Sequence, residues 1–187
     1  MAAAFPQALV ERWACDEHRI GLKPVLKRVW TLPGQRPLAP VAPRYAWRSR
    51  VAFVHPASGR TVWHLATGVS ADRFSVELAA FAQAVGAGPT KQLVLVLDQA
   101  GWHSSYDVVI PEHVPLLFLP SHSPALQPCE HLWHFSDAPL VNRHFRDVDE
   151  LQDVQLARCA VLQERRALIR SATLFSWWPK RITKLQE

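Results

Sequence analysis

The stretch LVLVLDQAGWH, residues 93–103, decides the fold class. Residues 93–97 are five apolar side chains in a row, and the run ends at Asp98. A run this short, with no polar alternation, has the pattern of a strand buried on both faces, as in a sheet flanked by helices. Just upstream, Phe74, Leu78, Phe81 and Val85 recur at helical spacing before Gly86 and Gly88, which predicts an amphipathic helix with stop signals at its end. Downstream, residues 116–119 read as a second buried strand and 103–110 as a short helix. Pro128 opens a helix that contains Glu130, and 148–167 form a longer one. Towards the N-terminus, 45–54 and 60–66 are β-rich runs joined by His55-Pro-Ala-Ser-Gly59, the chemistry of a hairpin turn. Residues 10–16 read as a short strand closing on Asp16. Residues 19–43 read as a Pro-rich loop or small hairpin, in which 29–32 could form a strand. Strands and helices alternate after the hairpin, which predicts an α/β fold with parallel strands in its second half.

The chain of 187 residues is 49% hydrophobic and 20% charged, enough for one domain with a sizeable core and too apolar for a disordered chain. No apolar run approaches the roughly 18 residues that span a bilayer, and the N-terminal residues lack the charged and apolar segments of a signal peptide. Three cysteines, Cys15, Cys129 and Cys159, are too few for a disulfide scaffold and fit a reducing, cytoplasmic setting. No Gly-rich phosphate loop and no G-x-S-x-G elbow is present, which argues against nucleotide-binding and serine-hydrolase chemistry.

Charge is distributed unevenly. Between His18 and Ala71 lie nine bases and no acid: Arg19, Lys23, Lys27, Arg28, Arg36, Arg44, Arg48, Arg50 and Arg60. Residues 90–160 reverse the balance, with nine acids against four bases. A polyanion-binding surface around an acidic site is one reading, and ordinary solvated faces are the other. Asp16 and Asp98 close strands, where ligands gather in open α/β sheets. Glu130 opens a helix, where the dipole favours a carboxylate. Three such acids could hold hard divalent cations. Singly, Asp98 could equally cap its turn and Glu130 be a plain first-turn acid.

Read together, these contexts resemble a known family. LVLVLDQAGWH (93–103) is similar to the apolar run and Asp-x-Ala-x-x-His of IS630-type transposases, matched by Asp98, Ala100 and His103. FLPSHSPALQPCEHLW (118–133) is similar to the family's Leu-Pro-x-x-Ser-Pro-x-Leu-x-Pro-x-Glu-x-x-Trp, with Glu130 as its acid. ACDEHRIGLKPVLKRVWTLPGQRP (14–37) resembles the first-acid region, with Asp16 as the acid. The resemblance implies an RNase H-like mixed sheet flanked by helices, filling 1–187 as a single catalytic domain with a basic aromatic tail over 164–187. It implies a metal-dependent DNA endonuclease and strand transferase acting in transposition. Its catalytic and metal-binding residues would be Asp16, Asp98 and Glu130, with two Mg²⁺ or Mn²⁺ ions. Glu17 and His103 are secondary candidates, since alternation turns Glu17 away from Asp16 in a continuing strand. His103 could touch DNA phosphate or a water at the scissile bond, or cap its helix.

The implied partners are double-stranded DNA, as transposon ends and target, and a second copy of the chain, in a nucleoid-associated cytoplasmic protein with no membrane. Arg19, Lys23, Lys27, Arg28, Arg36, Arg44, Arg48 and Arg50 are the expected DNA contacts. Only 15 residues precede Asp16, so the family's N-terminal helix-turn-helix is expected to be absent, supplied by an upstream half or lost in an inactive, DNA-binding remnant. Two local departures are Ser121 and His122 in the loop, and Gln127 where Asn is common. Gln is a poor N-cap, so the helix presenting Glu130 is expected to start less firmly. A rival reading is a zinc site built from Cys15, Cys129 and nearby His18, His131 and His134. Most of the tryptophans read as core, with Trp102 the best placed to pack near DNA. The aromatic tail from Leu174 reads as a cover for the sheet or a partner-binding segment.

Overall fold

The computed structural model describes residues 8–40 and 44–179. Five strands form one mixed sheet in the order β3-β2-β1-β4-β5. They are β1 (Leu9–Gly21), β2 (Trp47–His55), β3 (Arg60–Ala66), β4 (Lys91–Leu97) and β5 (Leu116–Phe118). The first three are antiparallel neighbours, while β4 lies parallel to β1 and β5 parallel to β4. This is the mixed sheet flanked by helices that the sequence implied.

Strand alternation gives the sheet a core on each face, with a smaller cluster of Ile20, Leu22, Leu140, Phe145 and Leu151 at the far end of β1. On one face Trp13, Cys15, Val51, Phe53, Leu93, Leu95 and Leu97 meet Phe74, Leu78, Phe81 and Val85 of α1 (Ala71–Val85). Ser70 caps α1 by accepting the Arg73 N–H, and left-handed Gly86 ends it, as the spacing predicted. On the other face Ala14, Ala52, Val54 and Val96 meet Cys129, Leu132, Trp133, Leu162, Ile169 and Trp178. The last six come from the turn Pro128–Leu132, α2 (Trp133–Asp137), α3 (Val148–Glu164), α4 (Arg166–Thr173) and the segment after it. Trp178 is buried there beside Leu174 and Phe175, so the described part of the tail covers the sheet. Residues 180–187 lie outside the described region. Among the described residues no helix is long and apolar enough to cross a membrane.

Several elements depart from the sequence reading. β1 does not stop at Asp16 but runs on to Gly21, paired with β2 throughout. Residues 29–32 form no strand and Trp30 is fully exposed, outside any core. Residues 103–110 are turns, because Ser105 Oγ accepts the Asp107 N–H and competes with a helix. β5 is a three-residue edge strand with Leu117 and Phe118 exposed, cut short by the prolines on either side. The long helix breaks at Arg165 (ψ 45°), which redirects α4 so that Ile169 joins Leu162 in one core. Gly59 (φ +70°) turns the β2–β3 hairpin. It also touches α4 so closely that a Cβ there would sit 1.9 Å from the Arg166 carbonyl oxygen.

Candidate active site

The β1–β4 register, with Ala14 opposite Val96, carries Asp16 and Asp98 to the same level two residues on. Both therefore stand at the carboxyl end of the parallel pair, Asp16 within its strand and Asp98 just beyond β4. Glu130 reaches this end from a 3-10 turn, Pro128–Leu132, rather than from an α-helix. The three acids meet electrostatically at Asp16. Its carboxyl is nearly buried, and burial, then the charges of Glu130, Glu17 and Asp98, push its pKa up to about 8. One oxygen accepts the Glu17 N–H at 2.9 Å. Glu130 is exposed, and no described side chain donates a hydrogen bond to its carboxylate.

Gln127 does cap the Glu130 turn, contrary to the sequence expectation. Its side-chain oxygen accepts the Cys129 N–H at 3.4 Å, and its Nε2 donates to the Cys15 carbonyl at 2.9 Å. An Asn side chain is one methylene shorter; Gln both caps and spans to β1. Cys129 Sγ adds bonds to the Ala14 and Ala52 carbonyls. The turn that presents Glu130 is thus fastened to the backbone next to Asp16.

On the opposite face of β1, Glu17 points away from Asp16, as alternation requires. There it accepts His103 Nε2 at 3.0 Å and the Trp102 indole N–H at 3.4 Å. His103 Nδ1 reaches Asp98 Oδ1 at 2.7 Å, and its ring lies against Phe74. Burial disfavours a charged His103, yet the bonds to Asp98 and Glu17 outweigh it and raise the pKa to about 9. Asp98 is held below its ordinary range, chiefly by His103, and also caps its turn through the Ala100 N–H. Glu17, ranked second from sequence, is therefore one end of a strut that fixes the Asp98 loop. His103 caps no helix, and Trp102 spends its indole N–H on this strut. The sequence signal was present in the alternation after Asp16 and the histidine five residues beyond Asp98.

Of the expected DNA contacts, Arg50 is a correction. It is fully buried, bonded to Asp137 at 2.9 Å and to Gln155, with its guanidinium against the rings of Trp133 and Trp63. Arg48 is half-committed, to Asp149 at 3.0 Å and to Gln152. Arg19, Lys23, Lys27, Arg28, Arg36 and Arg44 are exposed. Arg60, also in the basic run, pairs with Glu11. The zinc reading fails on geometry: Cys15 packs in the α1-side core and Cys129 in the other, with the sheet between them. Burial also pushes both thiols well above their ordinary range.

Divalent cations fit the donor chemistry here. Asp16 is a carboxyl raised by burial and then by its like-charged neighbours, and Mg²⁺ or Mn²⁺ takes such oxygen ligands while keeping waters. Among the described residues, no three His, Cys, Asp or Glu side chains form a preformed cation cage. The exposed Glu130 would have to close the set.

Residues 11–152 match the family described as DDE superfamily endonuclease. The chain is similar to a Mos1 transposase paired-end complex with left transposon end (TM-score 0.59, 17% identity, 88% of this chain and 56% of that one). It is also similar to the catalytic domain of Mos1 mariner transposase (TM-score 0.54, 14% identity, 87% and 82% of the two chains). These likenesses give it the RNase H-like fold of that catalytic domain. An uncharacterized protein, y4pE/y4sA, of Sinorhizobium fredii (strain NBRC 101917 / NGR234) is 48% identical over 59 residues, 31% of this chain and 44% of that protein. The chain thus spans less than half of that relative and about half of the transposase in its DNA complex.

Proposed function

Since the chain belongs to the DDE superfamily endonucleases, we propose that it is the catalytic part of an IS630-type transposase. It hydrolyses a phosphodiester at the end of a mobile element, and the freed 3′-hydroxyl then attacks a target phosphodiester, releasing the target's 3′-hydroxyl. The observation that carries this reading is the gathering of Asp16, Asp98 and Glu130 at one end of the sheet, where burial and then the neighbouring acids push the Asp16 carboxyl up to about 8.

Asp16, Asp98 and Glu130 are the side chains that would hold the metal. Two Mg²⁺ or Mn²⁺ ions bound by them would supply Lewis acidity to the attacking and leaving oxygens of an in-line displacement. The Mos1 complexes with Mn and Mg support that choice of ions. His103 and Glu17 keep Asp98 aimed, and Gln127 keeps the Glu130 turn beside β1. The exposed bases Arg19, Lys23, Lys27, Arg28, Arg36 and Arg44 steer and hold duplex DNA by their charge. A second copy of the chain and a helix-turn-helix half are its proposed partners, and a nucleoid-associated cytoplasmic location follows from the substrate.

The test is Asp98→Asn, assayed by nicking of supercoiled DNA in Mg²⁺ with the helix-turn-helix half supplied. Asparagine keeps the size but removes the charge that holds a hard cation. Cleavage should fall by about a hundredfold or more, with DNA binding retained. Equal cleavage by both proteins sinks the mechanism. No cleavage by either leaves the inactive remnant as the reading.

A further inference from the structure

β4 accompanies β1 only as far as Ala14, so the last residues of β1 have β2 on one side and, among the described residues, no strand on the other. Along this bare edge lies an open cleft of about 370 Å³, lined also by residues 23–25 after β1 and 44–47 at the start of β2. Its wall begins at His18, on the same face of β1 as Asp16 and about 7 Å further along the strand, and wraps the bare edge to Arg19 and Trp47 on the face of Glu17.

The wall carries three permanent cations, Arg19, Lys23 and Arg44, against one acid, Asp137. That acid is already compensated: buried Arg50 holds it at 2.9 Å and His18 at 3.2 Å. Arg19 lies over the Trp47 ring at 4.3 Å, which fixes the plane of its guanidinium. No described residue accepts a side-chain hydrogen bond from Arg19 or Lys23, so their donors face the cleft unspent. Arg44 gives one N–H to the Arg146 carbonyl and keeps the rest. The floor depends on Gly21, since a Cβ there would meet the Ala46 oxygen at 2.8 Å and Trp47 Cβ at 3.1 Å. The volume is at the small end of ligand pockets, roughly 300–1,000 Å³, which suits one nucleotide and not a duplex.

We infer that this cleft holds a backbone phosphate of the DNA strand being cut, a nucleotide or so away from the scissile bond, bound by Arg19, Lys23 and Arg44. The inference rests on the endonuclease reading above and deepens it. A planar guanidinium pre-set on an aromatic ring offers the paired donors that a phosphate takes, and Lys23 adds a point charge. Because β1 carries both Asp16 and Arg19, a phosphate seated here fixes the register of the strand against the acids.

The full chain, labelled for NMR, is titrated with thymidine 3′,5′-bisphosphate, and the Trp47 indole N–H signal is followed after assignment by Trp47→Phe. A saturable shift is expected. It should weaken about tenfold in Arg19→Ala or Lys23→Ala and stay unchanged in Arg166→Ala, an exposed cation on α4. In parallel, binding of a short DNA duplex is measured across salt concentrations. The double variant Arg19→Ala, Lys23→Ala should lose about one to two from the log–log slope. No saturable shift, or the same shift in the variants, overturns the cleft. DNA bound and cut normally with an unchanged slope overturns the cleft and leaves the endonuclease intact. Bisphosphate bound as expected by a chain that neither binds nor cuts DNA keeps the phosphate site and overturns the endonuclease.

Discussion

Asp16 buries a carboxyl among like charges, an arrangement that costs the fold stability and that, on the proposed function, a bound cation would offset. Asp16→Asn should therefore stabilise the metal-free protein, by on the order of 2 kcal/mol or roughly 4–8 °C in Tm. It should also abolish any rise in Tm produced by Mg²⁺ or Mn²⁺. Scanning calorimetry with and without the ion reads both effects, and a variant that melts lower than the parent refutes the account. His103 poses the complementary case, since it touches Asp98 and Glu17 and is not itself placed on the DNA. His103→Ala should lower the cleavage rate about tenfold or more while duplex affinity changes less than about twofold. His103→Gln, which can still bond to both acids, should recover part of the rate. Equal losses of rate and affinity in the alanine variant would mean that the ring contacts DNA instead.

At the scale of elements, the joints between strands and turns carry the testable content. Glu11 of β1 binds Lys91 of β4 at 3.2 Å, Arg60 of β3 at 3.3 Å and the Trp13 indole. Burial pushes its pKa up, but the hydrogen bonds from Trp13 and Lys91 and the two cations outweigh this and lower it. A lowered carboxylate contributes stability that is present above its unfolded pKa and is lost as pH falls through the folded value. The parent should thus lose urea resistance on going from pH about 5 to about 3 more steeply than Glu11→Gln; parallel curves would remove Glu11 from the account. Gln127 joins the Glu130 turn to the Cys15 carbonyl. Gln127→Ala strands a buried carbonyl and a buried N–H, at a cost of about 1–3 kcal/mol, and should reduce cleavage by more than it reduces DNA binding. Gly59→Ala forces both a positive φ and a clash with α4, so its Tm should drop by about 8 °C or more. A neutral Gly59→Ala would mean that α4 shifts freely.

For the whole molecule, what was legible in the sequence was what local pattern encodes. The apolar run at 93–97, the spacing of Phe74, Leu78, Phe81 and Val85, and the turn before Gly59 each report burial through near neighbours. Asp98 and Glu130 stood out as candidates because motifs flank them. The continuation of β1 past Asp16 was hidden because His18 and Arg19 break the apolar alternation: that half of the strand serves the site and the bare edge, with Ile20 packed in a smaller apolar cluster. Arg50 looked like surface because its partners, Asp137 and Gln155, lie 87 and 105 residues away, and no local pattern announces a pairing over that distance. The same long reach has a kinetic side. β1, β2 and β3 pair as a meander of near neighbours, whereas β4 joins β1 only after some 80 residues intervene, as in Leu9 opposite Lys91. Loop-closure entropy makes such parallel pairing slow, so it belongs late on the folding path. Asp16 then sits on the early unit, and Asp98 and Glu130 reach it only after the rate-limiting barrier. The repulsion among the acids is felt by the native state and not by the transition state, and it acts on the rate of escape. Asp16→Asn should slow unfolding several-fold and leave the refolding rate nearly unchanged in a chevron, making the native protein's lifetime, rather than its speed of formation, the quantity that the site has given up.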